Sequence, residues 1–253
     1  MKIQYCSDLH LEFDKNSRFL EKNPLIPIAD TLILCGDITY LRKDFYMNKF
    51  FDYISKNWQQ TFWLPGNHEF YCGIEMTNYD FSKPFAIREN VFLVNDIVLK
   101  IEGINLIFTI LWSKISKEKA PYIQNSVSDF ECIIYKGKRL NTSEFNNLHK
   151  YSLEFLKNEI SKLNDEKKIV ITHHLPTNLC DADEFKNSIL NEAFTVDITD
   201  FVENSGAEFW IYGHSHRNMP EIAVGKTKLI TNQLGYIHLN EHRTFVRDKY
   251  LEI

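Results

Sequence analysis

Long apolar runs are missing from this 253-residue chain. None approaches the ~18 residues needed to cross a bilayer, so no membrane span is expected. No signal-like stretch opens it either. Met1-Lys2-Ile3-Gln4-Tyr5 leads directly into a polar motif, and a cytoplasmic, reduced protein is the expectation. Cysteine pairing is also missing. The five cysteines (Cys6, Cys35, Cys72, Cys132, Cys180) are odd in number and show no close pairing pattern. Cys6 and Cys35 lie inside apolar runs and read as buried free thiols. Excess positive charge is absent as well. Lys and Arg total 29 against 34 Asp and Glu, a net charge of −5. That balance sets aside unspecific attraction to nucleic acid or anionic membrane as the main business. No repeat, low-complexity tract or linker divides the sequence, so a single domain over 1–253 is expected.

What is present is apolar material for a large core, 44% of the chain with 19 Phe and 12 Tyr. Lys2 to Cys6, Thr31 to Cys35 and Thr61 to Leu64 read as buried strands. Asp44 to Trp58 places Phe45, Met47, Phe50, Phe51 and Ile54 at helical spacing. Strand, helix and strand in that order predict parallel pairing. Short strands are expected at Val91–Val94, Asp96–Ile101 and Asn105–Ile110. Ser113 to Thr142 has no clean period and reads as an irregular excursion that shapes a pocket. Ser143 to Leu163 is an amphipathic helix with Ser143 as its expected cap. Ile169–Thr172 and Phe209–Tyr212 are further strands, Asn187–Asn204 a helix, and Pro220–Ile253 a set of β-hairpins.

Five of these segments end in the same way: an apolar run stops abruptly at a polar turn. The turns are Ser7-Asp8-Leu9-His10, Gly36-Asp37, Gly66-Asn67-His68-Glu69, Thr172-His173-His174 and Gly213-His214-Ser215-His216, and they hold six of the nine histidines. In open α/β sheets such strand ends gather at one edge. Carboxylate oxygen, amide oxygen and imidazole nitrogen suit a hard-to-borderline divalent or trivalent metal. No cysteine is among them, which argues against a closed structural zinc site. Seven good ligands on five segments exceed one tetrahedral ion and suit two ions sharing a carboxylate. Taken singly, each motif also reads as an ordinary turn; the ordered set does not.

The ordered set Asp-x-His, Gly-Asp, Gly-Asn-His-Glu, His and Gly-His-x-His resembles the calcineurin-like metallophosphoesterase superfamily. The resemblance runs from Asp8 to His216, and Pro65-Gly66-Asn67-His68-Glu69, Thr172-His173-His174-Leu175-Pro176 and Tyr212-Gly213-His214-Ser215-His216 carry it most strongly. It implies a four-layer α/β/β/α sandwich of mixed sheets with the metal site at the C-terminal ends of strands. It implies that Asp8, His10 and His216 hold one metal, that Asn67, His173 and His214 hold the other, and that Asp37 bridges them. The metals would be two divalent or trivalent ions drawn from Mn, Fe, Zn, Ni or Co. Ions roughly 3.5–4 Å apart clamp a phosphoryl group and activate a bridging hydroxide for in-line attack. His68 would be catalytic, protonating the leaving oxygen.

The implied activity is hydrolysis of a small phosphate ester, monoester or diester. A nuclease acting on single strands or short oligonucleotides is the alternative. A non-catalytic scaffold on the same fold would show as missing ligands, and all seven are present. His174 reads as a supporting or core histidine, Glu69 as an orienting carboxylate, Arg217 as a phosphate contact or a solvated side chain. His149, His238 and His242 read as structural or surface residues. One departure stands out. The phosphoprotein branch carries an Asp and then an Arg soon after the Gly-Asp aspartate, whereas here Ile38-Thr39-Tyr40-Leu41 follows. His68 is thereby left without its usual acidic partner, and protein phosphatase activity is not expected. Nor is duplex DNA, given the acidity and the lack of room for a further domain.

Overall fold

The apolar runs become strands because each is too short and too β-branched or aromatic to do otherwise while buried on both faces. The computed structural model describes residues 1–164 and 166–253. In chain order, β1 (Lys2–Cys6), α1 (Asp14–Lys22), β2 (Thr31–Cys35), α2 (Lys49–Asn57) and β3 (Gln60–Leu64) come first. β4 (Phe85–Arg88), β5 (Val91–Leu93), β6 (Ile97–Ile101) and β7 (Ile104–Thr109) follow. Then come α3 (Ala120–Ser126), α4 (Asp129–Cys132), a small hairpin of β8 (Ile134–Tyr135) and β9 (Lys138–Arg139), and α5 (Thr142–Lys162). The remainder holds β10 (Lys168–Thr172), α6 (Thr199–Asn204), β11 (Phe209–Ile211), β12 (Ile222–Val224), β13 (Thr227–Ile230) and β14 (Tyr250–Glu252).

Two six-stranded sheets result, in the orders β14-β1-β2-β3-β5-β4 and β12-β13-β11-β10-β7-β6. Each is parallel through its centre and antiparallel at both edges. The sheets pack face to face. Phe62 of β3 meets Phe108 of β7 at 5.8 Å between ring centroids, and the Cys35 thiol donates to the Thr172 carbonyl at 2.8 Å. Side chains alternate across each strand. Trp63, next to Phe62, therefore points outward and stacks on Phe51 of α2 at 5.3 Å. On the far side, Val170, Trp210 and Leu229 bury an outer face with Leu156 and Ile160 of α5 and Val202 of α6. The layers are thus helix, sheet, sheet, helix, as the resemblance implied. Each fully buried side chain of this kind, such as Phe51, contributes about 1.5–3 kcal/mol of burial free energy.

Several expectations need correction. α5 starts at Thr142, and Asn141, not Ser143, caps it by accepting from the Glu144 amide at 3.0 Å. The helix expected over 44–58 is broken at Asn48, whose side chain accepts from the Phe50 amide and starts α2 there. Over 187–204 only Thr199–Asn204 is α-helical, with one 3-10 turn at Asn191–Ala193. The buried Asp181 carboxylate accepts from Asn191 Nδ2 at 2.7 Å and from the Thr195 hydroxyl at 2.5 Å, which pins the chain across that stretch. The excursion 113–142 is less irregular than expected, holding α3, α4 and the small hairpin. Pro220–Ile253 forms one hairpin, turning at Gly225, and then returns β14 to pair with β1. α1 and β4 lie in stretches for which no element was expected. Among the described residues, no helix is long and apolar enough to cross a membrane.

Candidate metal centre

The five polar turns do not line one sheet edge, as expected, but meet where the ends of both sheets face each other. Asp8, Asp37 and Asn67 follow β1, β2 and β3 of the first sheet, while His173 and His214 follow β10 and β11 of the second. Asp8, His10, Asp37, His214 and His216 all take positive φ, between 49° and 75°. Asp and His tolerate this left-handed region better than branched residues, at roughly 1 kcal/mol or more each. Backbone bonds hold them there: Asp8 N–H to Gly36 O at 2.9 Å, His10 N–H to Asp37 O at 3.0 Å and Gly213 N–H to His173 O at 3.0 Å. Two glycines are required by space. A Cβ on Gly36 would lie 2.1 Å from His173 Nδ1, and one on Gly66 would lie 2.3 Å from Asp37 Oδ1.

All seven expected ligands come together. Ligand atoms of Asp8, His10, Asp37 and His216 lie within 4.8 Å of one another, as do those of Asp37, His173 and His214. Asp37 is in both groups. Its Oδ2 is 3.9 Å from His10 Nε2 and its Oδ1 is 3.3 Å from His173 Nε2. Asn67 Oδ1 joins the second group at 3.1 Å from His173 Nε2. Most of these side chains are wholly buried; His216 is 12% exposed.

The residues fit cations, and the hydrogen bonds say why. His10 Nδ1 is 2.9 Å from Glu12 Oε1, His216 Nδ1 is 2.8 Å from Glu241 Oε2, and His173 Nδ1 is 3.0 Å from the Cys35 carbonyl. Each of these partners accepts only, so each imidazole donates from Nδ1 and turns an Nε2 lone pair inward. His10 Nε2 and His216 Nε2 then stand 2.9 Å apart. Two facing lone pairs at that distance repel unless a cation or a proton lies between them. His214 Nε2 is buried with no hydrogen-bond partner among the described residues. Such an orphaned acceptor costs free energy unless something electropositive meets it.

The acid–base behaviour of the centre says the same. Burial alone would lower the His173 imidazole, but Asp37 and Asp8 outweigh it and raise it to about 10. Burial opposes His216 too, and its bonds to Asp8 and Glu241 raise it to about 9. His10 and His214 are lowered, first by burial and then by neighbouring histidines. Asp37 is held well below the usual carboxylate range because His173 and His68 outweigh its burial. The carboxylates therefore demand positive charge, and protons supply it where cations do not.

His68 sits at the rim, its side chain 11% exposed. Its Nδ1 is 3.2 Å from Glu12 Oε1, the same oxygen that meets His10. Glu12 is thus an acidic partner for His68 from a different segment than the missing aspartate. Tyr71 stacks on the His68 ring at 4.2 Å, and Tyr236 Oη is 3.4 Å from Nε2. Burial would lower His68, but Asp37 and Glu12 raise it above its ordinary value. Glu69 is a structural carboxylate. It accepts from the backbone amides of Asp37, Ile38 and Gly66 at 2.7–3.0 Å and from Trp63 Nε1 at 2.9 Å, locking two motifs together. Burial and Asp37 push it up to about 8 against those bonds.

His174 is buried, but neither ring nitrogen finds a hydrogen-bond partner among the described residues, so it is not a satisfied core histidine. It packs against His214 at 4.2 Å. Arg217 is one-third exposed, and Glu184 and Glu241 hold its guanidinium at 2.5 Å and 3.0 Å. His149 is structural, its ring facing the Leu111 and Trp112 carbonyls. Sequence reasoning missed Glu12, Glu241, Tyr236 and Asp129. Glu12 carried a signal, since it lies two residues beyond His10 in the first motif. The others reach the centre or its rim from segments with no motif.

The family model of calcineurin-like phosphoesterases matches residues 1–218. Uncharacterized protein L509 of Acanthamoeba polyphaga mimivirus is 30% identical, over 99% of this chain and 96% of its own. The crystal structure of phosphopantetheinyl hydrolase (PptH) from Mycobacterium tuberculosis superposes with a TM-score of 0.75 at 16% identity, covering 99% of this chain and 95% of that one. At that identity the likeness is one of fold. A family match over most of the chain, together with both sheets and all five turns in place, means that this protein belongs to the calcineurin-like phosphoesterase family.

Proposed function

We propose that the protein is a metal-dependent hydrolase of small phosphate esters, monoesters or diesters, built on a dinuclear centre in a single domain. Asp8, His10 and His216 would hold one ion, Asn67, His173 and His214 the other, and Asp37 both. The observation that carries this reading is the sharing of Asp37 by two buried donor groups. Bound ions of this kind neutralise phosphoryl charge and make water acidic enough to react near neutral pH.

The chain's own residues do the rest. His68, fixed through Nδ1 by Glu12, has Tyr236 Oη 3.4 Å from Nε2, a long contact that Nε2 can exchange for the departing oxygen, to which it would donate its proton. Proton donation of this kind is worth ~10²–10⁴-fold. Tyr71 stacked on one face keeps the ring from turning. A cavity of about 340 Å³, lined by Glu12, Tyr40, Arg42, Asp44 and Phe45 among others, lies on the Glu12 side of the centre and offers room for part of a substrate. The absence of Asp and Arg directly after Asp37 argues for poor turnover of phosphoproteins, because the next arginine, Arg42, lies 3.7 Å from Asp44 and is not set beside the donor groups for a bidentate hold.

The test is hydrolysis by protein stripped of metal and reloaded with Mn²⁺, Zn²⁺ or Fe²⁺. Substrates would be p-nitrophenyl phosphate, bis-p-nitrophenyl phosphate, cyclic nucleotides, short oligonucleotides and a phosphopantetheinyl ester. Turnover that returns with metal and vanishes with chelator is the expected result. Turnover indifferent to chelation, or none with any ester and any metal, would overturn it.

A further inference from the structure

We propose that Asp129, on α4 of the excursion, is the positioning residue that decides which end of the Asn67 carboxamide faces the centre. The inference rests on the dinuclear reading above. A carboxamide is nearly symmetric in shape, and its oxygen and nitrogen ends are told apart only by what they bond to. Only the oxygen end can ligate a cation; the nitrogen end would turn two hydrogens toward it. Something must therefore forbid the flip.

Asp129 supplies that restraint. It is 1% exposed. Its Oδ1 accepts from Asn67 Nδ2 at 2.7 Å and from Tyr71 Oη at 2.5 Å. Tyr71 Oη is also 3.2 Å from Asn67 Nδ2, so the nitrogen end is enclosed by acceptors. Asn67 Oδ1 is then left 3.1 Å from His173 Nε2, inside the second donor group. A flipped amide would bring its oxygen against the Asp129 carboxylate oxygen, lone pair to lone pair, in a buried site. The same carboxylate reaches the rim through Tyr71, whose ring stacks on His68. The excursion thus acts on the centre through one buried side chain.

The experiment counts ions and measures their affinity in metal-free protein titrated with Mn²⁺, by calorimetry, elemental analysis and electron paramagnetic resonance. Paired Mn²⁺ ions give an exchange-coupled spectrum and a single ion does not. Wild type is expected to take two ions. Asp129→Leu should weaken the ion at Asn67, His173 and His214 by 10- to 100-fold, the usual effect of losing a residue that orients a ligand. The ion at Asp8, His10 and His216 should stay, which also reports that the variant is folded. Asp129→Asn keeps a carbonyl acceptor and should keep both ions. The decisive variant is the double change Asn67→Asp with Asp129→Leu. A carboxylate has oxygen at both ends, so the flip no longer matters and the second ion should return. Two ions bound with wild-type affinity by Asp129→Leu would overturn the proposal. So would a double variant no better than Asp129→Leu alone. A single ion in wild type would instead overturn the dinuclear reading, and the proposal with it.

Discussion

Glu12→Gln tests how the rim histidine works. One carboxylate oxygen, Glu12 Oε1, accepts from His10 Nδ1 at 2.9 Å and from His68 Nδ1 at 3.2 Å, and the Glu12 side chain is only 5% exposed. The amide keeps an acceptor of the same shape and removes the charge. A charge-assisted bond exceeds a neutral one by about 1–2 kcal/mol, which is roughly five- to thirtyfold in rate. The loss should fall on esters whose leaving oxygen needs a proton. Turnover of an alkyl phosphate should therefore drop by that factor, while p-nitrophenyl phosphate, with its weakly basic leaving group, should change less than about threefold. The pH profile gives a second sign. Burial lowers His68, and Asp37 and Glu12 raise it above its ordinary value. The donating form is lost as pH rises through that value. Removing the Glu12 charge lowers it, so the alkaline limb should move to lower pH. Metal content, checked alongside, should stay at the wild-type level. Equal losses on both esters with metal retained would refute the assignment of His68 as proton donor.

Three further outcomes are expected. Asp37→Ala and Asp37→Asn should each lose both ions by elemental analysis and most activity, whereas a change at His10 or His214 should weaken mainly one ion. Gly66→Ala should abolish metal binding and lower stability by about 1–3 kcal/mol in thermal or denaturant unfolding, because its Cβ would lie 2.3 Å from Asp37 Oδ1 and 2.5 Å from His173 Nε2. Metal binding at pH 8 should release about two protons per chain, measured by calorimetry in buffers of different ionisation heat, since metal must displace protons from its ligands. His173 at about 10 and His216 at about 9 carry those protons, so metal affinity should weaken as pH falls.

The sequence was most informative where one residue type had one job. Apolar runs such as Thr31–Cys35 gave their strand bounds to the residue, because burial on both faces leaves no polar position to blur the ends. The centre was legible because each proposed ligand lies within five residues of the end of a strand, so chain position fixes its place in space. It failed where tertiary contacts set the local structure. Asn187–Asn204 looked helical, but Asp181 ties down Asn191 and Thr195 from outside the window. Edge strand β4 carries no clean alternation, with Phe85 and Ala86 both exposed, and went unread. Among the supporting residues, Glu12 stood in plain sight within the first motif. Asp129 and Glu241 did not, since no spacing links them to Asn67 or His216, 62 and 25 residues away.

The most direct test of the central claim is anomalous scattering from crystals of the protein loaded with Mn²⁺, recorded at the manganese edge. Two peaks are predicted, one touching Asp8, His10 and His216, the other Asn67, His173 and His214, with the Asp37 carboxylate between them. A single peak at saturating metal, or two peaks of which only one contacts Asp37, would contradict the shared-carboxylate centre on which the account rests.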